Sequence, residues 1–243
     1  MPILLTVILA ASALGTAFIS GILGMAGGMI LMGILLALLP VPAAMLLHGT
    51  TQLASNGWRA WLWRGAIDRR VFRQYALGSM VAFALFASVA VLVSKRAAFV
   101  ALGAMPFVAV ALPGRWRLDV ARRGHSFACG ALCSALALAA GVSGPILDVF
   151  FARTDMARQA VVATKAATQS VSHLLKILYF GGLVAGLGAV NPWTAVAMIV
   201  LALAGTQLSR PVLERMGEET FRSWTRWTVM ATGTFYLASG CLM

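Results

Sequence analysis

The sequence predicts an all-α integral membrane protein made of two inverted-topology repeats with glycine-broken or re-entrant helices. Three observations lead there. The chain is 60% hydrophobic and 11% charged, with a mean hydropathy of +0.89, whereas a soluble domain carries roughly 25% charged residues. Its apolar residues fall in long runs separated by short basic loops, which excludes a β-barrel, whose strands alternate and last only about 10 residues. Two glycine-rich breaks, Gly24-Met25-Ala26-Gly27-Gly28 and Gly141-Val142-Ser143-Gly144-Pro145, interrupt those runs at matching places.

Apolar segments are expected at about 3–23, 27–39, 43–63, 71–94 and 97–112. After a basic loop they resume at about 126–140, 144–152, 157–180, 189–209 and 223–242. No basic residue precedes the first segment and no clear cleavage site follows it, so it reads as a membrane segment and not as a removed signal peptide. Segments 27–39 and 144–152 are too short to cross about 30 Å of hydrocarbon as helices. Each follows a glycine break, and glycine or proline inside an apolar run points to broken helices or re-entrant hairpins. Segments 43–63 and 157–180 are long enough to span, at 1.5 Å per residue, but are rich in polar side chains.

The two breaks belong to an internal repeat. A shift of 117 residues carries Gly24 onto Gly141, Gly27 onto Gly144, and Ile30 onto Leu147. The same shift, without a gap, pairs Thr51 with Thr168, Gln52 with Gln169, Ser55 with Ser172 and Gly65 with Gly182. It also sets His48 on Lys165, Asn56 on His173 and Arg59 on Lys176. The chain therefore divides into a first membrane repeat, 1–113, a basic cytoplasmic linker, 114–125, and a second membrane repeat, 126–243.

Charge orients the repeats. Arg59, Arg64, Arg69, Arg70 and Arg73 mark the loop near 64–73 as cytoplasmic, while its counterpart 181–191 carries no charge and belongs outside. The basic loops 113–125 and 210–222 read as inside, and Lys95 and Arg96 go against the bias. The halves then run in opposite senses, a recurrent transporter plan with the substrate near the midplane between them. This distribution accounts for the net charge of +12 without a nucleic-acid partner. Cys129, Cys133 and Cys241 form no metal or redox motif and read as small packing residues. The tryptophans at 58, 61, 63, 224 and 227 flank basic loops, where an aromatic belt belongs.

Within Ala163–Lys176, the residues Lys165, Thr168, Gln169, Ser172, His173 and Lys176 recur at helical spacings and share one face. Charged groups at membrane depth face a protein interior or a wet cavity. A cationic stripe with hydroxyl and amide donors is what a small anion would be offered there. A broken helix adds free N–H groups and a positive dipole end. The candidate binding residues are thus Gly24, Gly27 and Gly28 at the first break, Gly141, Ser143 and Gly144 at the second, Thr51 and Gln52 with Thr168 and Gln169 as donors, and Lys165, Ser172, His173 and Lys176. Arg59 either adds positive potential or snorkels to the cytoplasmic face. His48 and His173 either report pH or serve as satisfied polar groups. Asp148 is the only acid within an apolar segment, either a carrier of a coupled proton or an ion-pair partner of Lys165 or another cation. No nucleophile–base pair or metal-spaced cluster points to an enzyme or a cofactor.

Gly21 to Leu31, the Pro42-Ala43-Ala44 that follows, and His48 to Asp68 (HGTTQLASNGWRAWLWRGAID) resemble the sulfite exporter TauE/SafE family, the TSUP permeases. The stretches GVSGPIL at 141–147 and ATKAATQS at 163–170 resemble that family's second repeat. Three departures stand out: Met25-Ala26 interrupts the usual glycine triplet, Gly33 lies near the place of a common proline, and Pro145 replaces a commoner glycine. The resemblance implies a carrier for sulfite or an organosulfonate in the cell membrane, a bacterial inner membrane being expected, with possible coupling to protons. It directs interest to Gly24, Gly27, Gly28, Gly141, Gly144, Thr51, Gln52, Thr168 and Gln169. A passive anion channel and a membrane assembly protein are the alternatives.

Overall fold

The computed structural model describes residues 3–23, 25–89, 93–112, 118–186, 188 and 190–243, without the side chains of 213, 214, 218, 221 and 222. Gly24, Arg115 and Arg117 lie outside the described residues. The described residues hold ten α-helices and no strand: α1 Ile3–Leu23, α2 Ala26–Leu38, α3 Val41–Leu62, α4 Arg69–Val89, α5 Lys95–Ala111, α6 His125–Ala140, α7 Gly144–Phe151, α8 Arg158–Ile177, α9 Pro192–Arg215 and α10 Glu218–Leu242.

Local sequence explains most of the boundaries. Leu39 precedes Pro40, which disfavours helical backbone, and it is extended (φ −129°, ψ 160°), so α2 stops there. Pro42 sits in the first turn of α3, where its missing N–H has no role. The Ser94 side chain accepts from the N–H of Ala97 and caps α5. Asn191 does the same for α9, accepting from the N–H of Trp193 at 2.9 Å. Gly141 ends α6 in the left-handed region (φ +86°), which glycine enters without a steric penalty. α7 begins three residues later with Pro145 in its first turn. At its far end α8 passes into a π-helical stretch, Leu178–Val184.

Among the described residues, α1, α4 and the Pro192–Val212 part of α9 are the helices both long and apolar enough to cross a membrane by length and composition. α3 and α8 have the length, 22 and 20 residues, but carry polar side chains inward. The two run antiparallel at the centre: Gly49 touches Ile177, Gly57 approaches Ser170, and Ala60 clusters with Ala166. Around them α1 packs on α9, α4 on α6, and α5 on α10, with α2 against α1 and α3. α7 reaches α2, α5 and α6. Large apolar side chains such as Leu77, Met80, Leu85 and Val89 of α4 are exposed, as lipid-facing groups are. The polar residues Thr51, Thr168, Ser172, His48 and Lys176 are buried.

Glycine sets the closest approaches. A Cβ on Gly78 would lie 2.0 Å from the Phe127 carbonyl, and one on Gly130 would lie 2.0 Å from that of Tyr75, so α4 and α6 meet backbone to backbone. Gly33 yields its side-chain space to the ring of Tyr236, whose hydroxyl donates to the Met29 and Ile30 carbonyls at 3.1 and 3.2 Å. Gly78→Val and Gly130→Val should each destabilise by about 3 kcal/mol or more through overpacking. Gly65→Ala, which meets nothing within 4 Å, should change stability by less than about 1 kcal/mol. Thermal unfolding of the three variants in detergent checks the ranking.

Candidate anion site at the paired helix breaks

Lys176 stands in the last turn of α8 and is wholly buried. Its ammonium donates to the Gly141 carbonyl at 2.8 Å and to His48 Nδ1 at 2.7 Å. The other nitrogen of that ring, Nε2, lies 2.9 Å from the Gly28 carbonyl. A carbonyl only accepts, so Nε2 carries the ring proton and Nδ1 presents the lone pair that receives Lys176. One cation thereby joins four elements: α8, α3, the end of α6 and the start of α2.

The choice of Gly141 has an electrostatic reason. The last carbonyls of a helix lack intrahelical partners and carry the negative end of its dipole. Lys176 supplies a hydrogen bond and a positive charge at that end of α6. Among the described residues no carboxylate comes within ion-pair distance of Lys176, whereas Lys165, on the same helix, is paired with Asp148. Two of the ammonium's three N–H groups are committed to neutral acceptors, and the third remains for another partner.

His173 lies one turn before Lys176 on α8, and its ring meets that of His48 edge-on, with centroids 5.5 Å apart. Its Nδ1 is buried without a hydrogen-bond partner. The neighbouring Ser172 lies 2.8 Å from the Tyr75 hydroxyl and 2.9 Å from Ser134 Oγ. Tyr75 and Ser134 thus fasten α8 to α4 and α6 directly beside the histidine.

The two breaks abut. A Cβ on Gly144 would lie 2.5 Å from Met25 Cε, and one on Gly141 would lie 2.5 Å from Met32 Sδ. Gln169 Nε2 is 3.9 Å from Met25 Sδ. Neither the N-cap of α2, Met25, nor that of α7, the buried Ser143, makes a side-chain capping bond. Both helices present their first N–H groups close to one methionine side chain.

Several residues expected at the site serve elsewhere. Lys165 and Lys176 share a face but are eleven residues apart, about 16 Å along a helix. Lys165 turns to Asp148 in a pair whose side chains are 23% and 41% exposed, so the stripe divides into two centres. Gly27 is a packing residue: its missing side chain admits the Thr16 carbonyl, 2.0 Å from a Cβ there. The Thr51 and Thr168 hydroxyls donate to the Leu47 and Lys165 carbonyls of their own helices, at 2.7 and 2.9 Å, and so are not free donors. Gln52 accepts from Asn56 at 3.4 Å and faces Gly28, leaving its amide hydrogens available. Arg59 is half-buried in the last turn of α3.

The sequence does not single out Tyr75 or Ser134, and it offers His48 as a pH-reporting or satisfied polar group, not as a binding residue. His48 was marked by its register with Lys165 and by its place in a buried polar helix. Helices distant along the chain bring Tyr75 and Ser134 to Ser172.

These features define a multi-pass α-helical membrane protein with a buried lysine centre where the end of α6 and the start of α2 come together. The model of the family Sulfite exporter TauE/SafE matches residues 8–236, and the chain belongs to that family of membrane transporters. No curated protein and no solved structure matches the chain.

His48→Leu should cost about 1–3 kcal/mol for each of the Gly28 and Lys176 groups it leaves without a partner in a buried place. Asp148→Asn breaks a part-exposed pair and should cost less than about 1 kcal/mol. Thermal unfolding in detergent distinguishes them, and equal losses would contradict this division between a buried centre and a peripheral pair.

Proposed function

We propose that the protein is a secondary transporter that carries a small sulfur-containing anion, sulfite or an organosulfonate, by alternating access, in a bacterial inner membrane. The observation that carries this reading is the burial of Lys176 with neutral partners only. A charge held at membrane depth without a counter-charge is costly. An anionic substrate supplies that counter-charge when it binds. The third ammonium N–H, the Gln52 amide and the uncapped starts of α2 and α7 offer it donors of the charge-assisted kind.

Alternating access draws on the repeat. In this reading 1–113 and 126–243 are inverted copies joined by 114–125, and the correspondence pairs α1 with α6, α2 with α7, α3 with α8, α4 with α9 and α5 with α10. Exchanging the partners turns the α1–α9 packing into α6–α4, and α3–α9 into α8–α4, while α3–α8 and α5–α10 map onto themselves. The shift of 117 residues likewise turns Gly49–Ile177 into Ala60–Ala166. These exchanges support a pseudo-two-fold axis through the α3–α8 contact, with the substrate between the halves. Asp148 is the proton-coupling candidate: protonating it would release Lys165 and leave a free cation at the opposite end of α8 from Lys176.

The test is thermal stability of the purified protein against sulfite, sulfate, thiosulfate, taurine, sulfoacetate, isethionate, acetate and chloride. A ligand at 100 times its Kd stabilises by about 2.7 kcal/mol. A sulfur anion should raise the melting temperature of the wild type, and Lys176→Gln should abolish the rise. A rise that survives intact in Lys176→Gln would remove this centre as the binding site.

A further inference from the structure

The centre holds two hydrogen-bonding positions without partners, and they are of opposite kind. The third N–H of Lys176 is a charged donor. Nδ1 of His173 is a buried ring nitrogen with no partner, on the same helix face one turn away. An unsatisfied buried polar atom costs about 1–3 kcal/mol. A fully deprotonated oxyanion or a sulfonate offers acceptors only and would satisfy the lysine alone. An anion that keeps one proton satisfies both groups.

We propose that this site selects a singly protonated oxyanion of the hydrogensulfite type: its charged oxygens receive Lys176, and its own O–H donates to Nδ1 of His173 in the Nε2–H tautomer. The proposal rests on the reading of Lys176 as the anion-binding group and adds the protonation state of the ligand. No proton changes hands in it, since the proton enters and leaves on the anion. Because each buried polar group then has a partner, an isostere that lacks the hydroxyl leaves His173 unpaired and is rejected, which is how polar sites discriminate most strongly.

The surroundings leave the O–H acceptor role to His173. From α3, His48 faces it with its nitrogens committed to Gly28 and Lys176. From α4, Tyr75 is engaged by Ser172. From α6, Cys129 and Cys133 lie 3.9 Å from each other. Beyond the end of α8, Tyr179 donates to the Phe86 carbonyl. From α7, Asp148 is paired with Lys165. The same elements also carry Arg59 on α3, Arg69, Arg70 and Arg73 on α4, and His125 on α6, all toward the ends of those helices. The second pairing site on Ser172 goes to Ser134, not to the ring.

The test uses the full-length protein in nanodiscs and calorimetric titration with two anions of nearly equal shape. Sodium sulfite supplies hydrogensulfite on the acid side of its own ionisation. Sodium methanesulfinate carries a methyl group where hydrogensulfite has its hydroxyl. The wild type should favour sulfite by about tenfold or more on the acid side, and that advantage should fall as sulfite loses its proton. His173→Leu should abolish the advantage while methanesulfinate affinity stays within about twofold. His173→Asn, which keeps an acceptor oxygen near the place of Nδ1, should retain it. Equal losses of both anions in His173→Leu would leave the histidine a merely structural role and overturn the proposal. So would a wild-type ratio near one. If that ratio is near one while Lys176→Gln loses both anions, the transporter reading stands and the hydrogensulfite selection falls. If Lys176→Gln binds both like the wild type, the two fall together.

Discussion

A lysine ammonium buried in a membrane bundle needs acceptors for its protons and negative potential nearby; here the carbonyl end of α6 supplies the potential and one acceptor, and His48 of α3 supplies the other. Gly141 terminates α6 with left-handed backbone and gives its carbonyl to Lys176. Gly28 gives its carbonyl to His48, which in turn receives Lys176. The glycine breaks therefore have a cause beyond close packing: they free or aim carbonyls at one place. α3 and α8 must also approach closely enough for His48 to reach Lys176, and Gly49 permits it, since a Cβ there would lie 3.0 Å from Ile177 and 3.3 Å from Lys176.

The remainder of the molecule holds that arrangement. α1 with α9 and α4 with α6 form flanking pairs whose backbones touch at glycines, and in lipid such van der Waals contact replaces the hydrophobic drive between helices. Tyr236 reaches from α10 into the gap at Gly33 and ties down α2 just beyond its first turn. Tyr75 and Ser134 tie α8 through Ser172. The centre is thus braced by side chains from both halves of the chain.

The two ends of α8 differ in chemistry. At one end a part-exposed lysine has its own carboxylate. At the other a buried lysine has only an imidazole and a carbonyl. The first pair is locally neutral without a ligand, while the second centre is electrically incomplete. That contrast, more than the number of cations on the helix, distinguishes the two centres.

Much of this was legible in the chain. All ten helices lie close to the apolar segments read from hydropathy, because membrane burial demands long apolar runs and proline or glycine marks their ends. The breaks at Met25 and Gly141 to Ser143 were visible as glycine clusters, and Lys176 and His173 were visible from helical spacing. The same spacing misled at Lys165, since periodicity places residues on one face but says nothing of the 16 Å or so between them along the axis. Threonines at 51 and 168 read as donors until the structure turned their hydroxyls onto their own helices, a competition between backbone and ligand that sequence does not resolve. His48 as the partner of Lys176 and the unpartnered nitrogen of His173 were decided by tertiary structure alone, and the structure chose, of the roles the sequence offered Asp148, the pair with Lys165. Each depends on which side chains from distant helices converge, and hydrogen bonds, unlike apolar burial, are set by tenths of an ångström and by direction.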